Sequence, residues 1–180
     1  LYSERLARGT WRGKERPVLI NNWEATYMDF NEEKILEIAK TAKEAGIELF
    51  VLDDGWFGTR DDDTQGLGDW FVNTKKLPSG ISGLSRKIEE IGMKFGLWIE
   101  PEMANKNSDL YREHPDWIIS APDRFESPSR FQHMLDFSRK EVVDYIHEMI
   151  AKVIRESKIS YIKWDMDRYM TECYSRAARP

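Results

Sequence analysis

The chain has 180 residues, of which 41% are hydrophobic and 33% charged, and its formal net charge is −5. This balance predicts a soluble globular protein. It argues against nucleic acid or a membrane as a partner, because the charge is negative and no run approaches the roughly 18 apolar residues of a membrane span. The single cysteine, Cys173, excludes an internal disulfide and is compatible with the cytoplasm, and no CxxC or HExxH motif indicates a zinc site.

The first third of the chain predicts a strand, a helix and a second strand. Residues 1–17 are basic but lack the apolar stretch of a signal peptide, so we expect a lead-in segment. Residues 18–23, VLINNW, predict the first strand. An amphipathic helix follows, with Asn31 as its N-cap and Gly46 at its C′ position. Residues 47–56, IELFVLDDGW, predict the second strand.

The middle of the chain alternates long loops with a helix and a strand. Residues 57–80 are rich in Gly and Asp and predict a loop. A short helix then ends at Gly92, and a third strand over 93–103 is stopped by Pro101. Residues 101–137 predict a second long loop, of a length that in compact domains is usually functional or disordered.

The last part of the chain predicts the longest helix and a fourth strand. Residues 138–141, SRKE, match a capping box that would open the helix, and residues 159–166, ISYIKWDM, predict the strand. The order β-α-β-α-β-α-β predicts parallel strands, either in a doubly wound sheet or in part of a (β/α)8 barrel. No glycine-rich phosphate motif follows the first strand, which disfavours a nucleotide-binding fold.

The carboxyl end of each predicted strand carries acidic side chains beside a tryptophan. In residues 161–168, YIKWDMDR, alternation places Lys163, Asp165 and Asp167 on one face of the strand. Barrel enzymes have their active sites at these strand ends, so we expect one shared site there. An aromatic face packs against the C–H face of a sugar, and carboxylates bind its hydroxyls, so the pattern favours a carbohydrate ligand.

The segments RPVLINNWEATYMDF, ELFVLDDGWFG, GLWIEPEM and YIKWDM resemble the bacterial α-galactosidases of glycoside hydrolase family 36, over about residues 5–172. The resemblance implies a retaining glycosidase that releases terminal α-linked galactose from melibiose and raffinose-type oligosaccharides. It also implies a homo-oligomer for the full-length protein and no metal or organic cofactor. The expected fold is α/β of the (β/α)8 TIM-barrel type. Residues 18–172 would form its first half, about four strands, because a whole barrel needs about 250 residues.

The resemblance also implies roles for individual residues. Asp165 is the expected nucleophile, and the other residues expected to bind substrate are Trp23, Asp53, Asp54, Trp56, Trp98, Lys163 and Asp167. Lys163 on the same strand face would favour the ionised form of Asp165. A site that binds the axial O4 of galactose through such hydrogen bonds would reject glucose.

Two departures from the family pattern affect these expectations. The family motif reads KWDMN, whereas this chain has Asp167 at the Asn position, and a second negative charge would raise the pKa of Asp165 and reduce activity or shift its pH dependence. The family's acid/base residue lies on a later strand, beyond residue 180. We therefore expect a fragment that is incomplete for full catalysis, with a divergent tail over residues 173–180.

Two alternatives remain open at this point. Strand-end acids with a lysine also describe metal-assisted enolising barrels, in which Asp53, Glu100 and Asp165 would hold Mg²⁺. A half-barrel that binds sugar without turnover is the other. Glu100 is otherwise expected in a hydrogen-bond network rather than as a proton donor, and His114 and His133 are expected to be structural.

Overall fold

The computed structural model describes residues 2–178, so residues 1, 179 and 180 of the predicted lead-in and tail lie outside the described part of the chain. The main sheet has four parallel strands in the order β1-β2-β3-β6, and a second sheet pairs β4 with β5 antiparallel. The strands are β1 (Leu19–Asn21), β2 (Leu49–Leu52), β3 (Lys94–Ile99), β4 (Met103–Asn105), β5 (Gln132–Met134) and β6 (Tyr161–Trp164). The α-helices are α1 (Trp23–Thr26), α2 (Glu32–Glu44), α3 (Gly80–Glu90), α4 (Asp109–Glu113) and α5 (Lys140–Glu156). Tyr2–Leu6 forms a π-helical turn, and Gly9–Trp11 and Pro115–Trp117 form 3-10 turns.

Neighbours in the parallel sheet follow one another along the chain, and α2, α3 and α5 provide the crossovers between them. This arrangement confirms the predicted α/β fold and is that of a partial (β/α)8 barrel. Because the strands are parallel, all four carboxyl ends lie at one edge of the sheet. Within the described residues, no helix is both long and apolar enough to cross a membrane.

Helix α2 has the ends that the sequence predicts. The Asn31 side chain accepts a hydrogen bond from the Lys34 backbone N–H at 2.9 Å, as an N-cap should. Gly46 has a φ of 85°, the left-handed conformation that a glycine adopts just beyond a helix. Ile35 and Ala39 are completely buried in the hydrophobic core, so the apolar stripe of the helix faces the core.

The predicted capping box at the start of α5 is wrong. Arg139 occupies the N-cap position and its side chain makes no capping bond. The Ser138 hydroxyl instead donates to the Asp136 carboxylate at 2.6 Å, and Glu141 accepts from Arg139 Nε at 2.8 Å. Both side chains that the motif requires are therefore held by nearby charged or polar groups rather than by the helix backbone.

The predicted loop over residues 101–137 is more ordered than expected. It contains the antiparallel pair of β4 and β5, with Ala104 opposite His133, and the short helix α4. The predicted structural roles of the two histidines are consistent with their contacts. His114 stacks on Trp117 with ring centroids 3.7 Å apart, and His133 is buried within β5.

Candidate active site

A polar cleft of about 370 Å³ lies at the carboxyl edge of the parallel sheet. The segments that follow β1, β2 and β6, the end of β3 and the loop before β5 all contribute to it. Its lining residues are Trp23, Asp53, Asp54, Trp98, Arg130, Lys163, Asp165 and Asp167. The structure thus brings together every predicted site residue except Trp56, and it adds Arg130.

Asp53 and Lys163 form an ion pair at one side of the cleft, with Lys163 Nζ 2.8 Å from Asp53 Oδ2. The Asp53 backbone N–H donates to the Asn22 side chain at 2.9 Å, and the Asp54 N–H donates to Asp53 Oδ1 at 2.9 Å. Both oxygens of Asp53 therefore have partners. Lys163 lies on the strand face predicted for it, beside Asp165 in the lining of the cleft, but its ion pair is with Asp53.

Asp54 is held by Arg60, a residue that sequence reasoning missed. Arg60 is only 1% exposed, and its Nη2 lies 2.9 Å from Asp54 Oδ2 while its Nε lies 3.1 Å from Oδ1. Arg60 Nη1 also donates to Asn105 Oδ1 at 3.0 Å. Burial raises the pKa of Asp54, and the Arg60 guanidinium opposes that rise. In the sequence, Arg60 is only an arginine in a Gly- and Asp-rich loop, and nothing there indicates its partner.

Asp165 is oriented by hydrogen bonds rather than by a cation. Trp98 Nε1 donates to Asp165 Oδ2 at 2.9 Å, and the Met166 backbone N–H donates to Oδ1 at 3.0 Å. The Asp165 backbone N–H donates to the Ile99 carbonyl at 2.9 Å. Hydrogen bonds to both oxygens fix the orientation of the carboxylate at the edge of the cleft.

The charge of Asp167 is compensated by Arg130. Arg130 Nη1 pairs with Asp167 Oδ2, and Arg130 Nη2 lies 3.2 Å from Asp63 Oδ1. Burial opposes the charge of Arg130, but the carboxylates of Asp167 and Asp63 outweigh it and raise its pKa. The expected repulsion between Asp167 and Asp165 is therefore reduced by a cation that the sequence motif does not contain.

Trp56 lies outside the cleft. It is 1% exposed, its Nε1 donates to the Trp98 carbonyl at 2.9 Å, and its ring packs edge-on against Phe57. The chain turns at Gly55, which has a φ of 104°, and this turn directs the next side chain into the core. The structure thus gives Trp56 a packing role and leaves Trp23 and Trp98 as the tryptophans of the cleft.

Glu100 lies beneath the cleft and is fully buried. Its Oε1 accepts the Asp167 backbone N–H at 2.7 Å, and its Oε2 accepts from Gln132 Nε2 at 2.8 Å. Burial raises the pKa of Glu100 to about 7, and the negative charges of Asp167 and Asp165 act in the same direction. Glu100 therefore links the segment after β6 to β5 through hydrogen bonds beneath the cleft. This is the network role that its position at a strand end predicts.

A parallel partial barrel with tryptophans and oriented carboxylates at its carboxyl edge defines the class of barrel domains found in glycoside hydrolases. A family model described as Melibiase matches residues 1–180. The chain therefore belongs to the Melibiase family, and the resemblance to glycoside hydrolase family 36 is confirmed.

Individual relatives agree with this assignment. Alpha-galactosidase AgaA from Geobacillus stearothermophilus is 60% identical over 180 residues, and its crystal structure matches with a TM-score of 0.96 over 100% of this chain and 25% of that chain. Alpha-galactosidase Mel36A from Lactobacillus acidophilus is 52% identical over 174 residues, which is 97% of this chain and 24% of that protein. A variant of AgaA solved in complex with raffinose matches with a TM-score of 0.96 at 59% identity. The chain spans about a quarter of the length of the curated relatives it matches.

Proposed function

We propose that this chain supplies the nucleophile-bearing half of the active site of a retaining α-galactosidase, which releases terminal α-linked galactose from raffinose- and melibiose-type oligosaccharides. The observation that carries the proposal is the cleft itself, where Asp165 is aimed by Trp98 beside the pairs Asp53–Lys163 and Asp54–Arg60. The raffinose complex of the AgaA variant supports this choice of substrate class.

In the proposed reaction, Asp165 attacks the anomeric carbon and forms a covalent galactosyl ester, which water then hydrolyses. Lys163 and the carboxylates of Asp53 and Asp54 bind the sugar hydroxyls, including the axial O4. Trp23 offers an aromatic face to the C–H face of the ring. The second carboxyl group donates a proton to the leaving group. We propose that it lies outside residues 18–172, which form the first half of the barrel.

The pairing of charges in the cleft bears on the two alternative functions. Of the three acids that the enolising alternative would use, Asp53 is bound to Lys163. Both oxygens of Asp165 and both oxygens of Glu100 already accept hydrogen bonds from the protein. This arrangement suits neutral hydroxyl ligands better than Mg²⁺ and favours the glycosidase over the enolising barrel. A sugar-binding half-barrel without turnover shares the same cleft and is separated by the labelling experiment below.

Two broader proposals accompany the assignment. We propose a cytoplasmic location, which the single cysteine supports because thiols persist in a reducing compartment. We also propose that the full-length protein is a homo-oligomer, as the family resemblance implies.

We expect an activated fluorinated α-galactoside to label the purified chain covalently, and the matching α-glucoside to label it at least about a hundredfold more slowly. A good leaving group needs little acid assistance, so glycosylation of Asp165 does not depend on the proton donor. The buried polar groups of the cleft would be left unpaired by the equatorial O4 of glucose, which is the basis for selectivity. Intact-protein mass spectrometry measures both rates. Reversible binding of galactose without any adduct would instead support the binding half-barrel.

We expect Asp167→Asn to move the acid limb of the labelling rate to lower pH, by up to about one unit. The substitution removes a negative charge from the cleft and also leaves Arg130 less neutralised, and both changes favour the deprotonated form of a neighbouring carboxyl group. The measurement is the labelling rate between pH 4 and 8, with Asp144→Asn on exposed α5 as the matched control. An acid limb that stays in place or moves to higher pH contradicts this prediction.

A further inference from the structure

Glu100 is a buried acid for which the proposed reaction has no use. Its side chain lies at the end of β3 and is 0% exposed. It makes no ion pair with any lysine or arginine of residues 2–178, so its partners are the Asp167 backbone N–H at 2.7 Å and the Gln132 amide at 2.8 Å. A buried carboxylate without a cation beside it lowers the stability of the fold. Any role of Glu100 therefore lies in the two hydrogen bonds that it makes.

The two hydrogen bonds join three elements around the proposed nucleophile. The Asp165 N–H donates to the Ile99 carbonyl, and the Asp167 N–H donates to the adjacent residue, Glu100. The turn after β6 is thus tied to the end of β3 on both sides of Met166. The second oxygen of Glu100 reaches Gln132 on β5. Without Glu100, the Asp167 N–H would lose its acceptor, and side chains alone would hold this side of the turn, through Arg130 on Asp167 and Arg168 on the Gln132 carbonyl.

We propose that Glu100 is a positioning residue, which holds the turn carrying Asp165 and Asp167 through the Asp167 amide, and that Gln132 allows it to do so whether or not Glu100 is ionised. The ionised form accepts both hydrogen bonds as they stand. The neutral form still accepts from Asp167 through one oxygen, while its O–H donates to Gln132 Oε1 after the amide rotates. Within residues 2–178, Gln132 Oε1 is buried and has no other hydrogen-bond partner.

The charges around Glu100 make such tolerance necessary. Asp54, Asp165 and Asp167 face it with negative charge, Arg130 faces it with positive charge, and burial adds to the negative groups in disfavouring ionisation. With a pKa of about 7, Glu100 gains and loses its proton around neutral pH. If the partner could only donate, its hydrogen bond would be lost whenever the facing oxygen of Glu100 gained a proton. The side-chain amide of Gln132 can either donate or accept, so it keeps a hydrogen bond in both states.

The test is amide hydrogen exchange at Asp167, measured by NMR on the 180-residue chain. In Glu100→Leu, which removes both acceptors, we expect the Asp167 amide to exchange at least about tenfold faster than in the wild type. In Glu100→Gln, which offers an oxygen to Asp167 and an N–H to Gln132, we expect a rate within about threefold of the wild type. Glu102→Gln is the matched control, because Glu102 accepts from Trp164 Nε1 at 3.0 Å and does not line the cleft.

Two results would overturn the proposal. One is a folded Glu100→Leu variant whose Asp167 amide is as protected as in the wild type. The other needs no variant: a wild-type Asp167 amide that exchanges at the rate of an unstructured peptide shows that the anchor does not exist. The second measurement can overturn the proposal even where Glu100→Leu fails to fold.

The catalytic consequence rests on the proposed function and is measured separately. We expect Glu100→Leu to slow labelling of Asp165 by about tenfold or more with a smaller change in galactose affinity, because the nucleophile moves while Lys163, Asp53 and Asp54 stay in place. Glu100→Gln should restore the wild-type labelling rate. A folded wild-type chain that is never labelled refutes the proposed function and leaves the amide result intact. Normal labelling in folded Glu100→Leu refutes the positioning role.

Discussion

Asp165→Asn is expected to abolish covalent labelling by an activated α-galactoside, with a rate loss on the order of 10⁴-fold or more. The amide has the same shape as the carboxylate and still accepts the hydrogen bond from Trp98 Nε1, so the fold and the cleft should persist. What it lacks is the negative oxygen that attacks the anomeric carbon. Intact-protein mass spectrometry gives the rate, and peptide mapping of the labelled wild-type chain locates the sugar.

Asp144→Asn, on the exposed face of α5, is the control for the removal of one carboxylate and should be labelled at the wild-type rate. Retained labelling of Asp165→Asn would show that Asp165 is not the nucleophile. A sugar mapped to Asp53 or Asp54 would reverse the roles proposed here, with the neighbouring carboxylate attacking and Asp165 binding a hydroxyl.

Arg60→Met is expected to lower the free energy of unfolding by about 3–5 kcal/mol, the cost of leaving one partner of a buried ion pair uncompensated. Asp54 would remain 3% exposed with no cation beside it, and Asn105 would lose the guanidinium that its Oδ1 binds. Methionine fills a similar volume, so most of the loss is electrostatic rather than a cavity effect. Urea denaturation followed by circular dichroism measures it.

Arg155→Met is the matched control, because Arg155 is 59% exposed and pairs with Glu148 on the surface of α5. Exposed pairs of this kind contribute at most about 1 kcal/mol. Adding Asp54→Asn to Arg60→Met should recover part of the lost stability, since the uncompensated charge is then gone. Equal stability of Arg60→Met and Arg155→Met would contradict the burial of the ion pair.

Much of the fold follows from local sequence patterns. The alternation of strands and amphipathic helices, the Asn31 cap and Gly46 at the end of α2 all depend on residues close together in the chain, and all were predicted correctly. The position of the cleft was also predictable, because parallel strands bring their carboxyl ends to one edge. The predicted capping box of α5 does not form because the Ser138 hydroxyl bonds to the Asp136 carboxylate instead of the helix backbone. A sequence motif shows which hydrogen bonds are possible, but not which competing partner is preferred.

The partners within the cleft depend on contacts between distant parts of the chain. Alternation placed Lys163 and Asp165 on one face, but strand pairing, with Trp98 opposite Lys163, sets which groups they meet. Lys163 binds Asp53 and Trp98 binds Asp165, across 110 and 67 residues of chain. A local pattern states the direction of a side chain but not what faces it. Strand register and loop packing supply that information, and through them Arg60, Arg130 and Glu100 join the site while Trp56 leaves it.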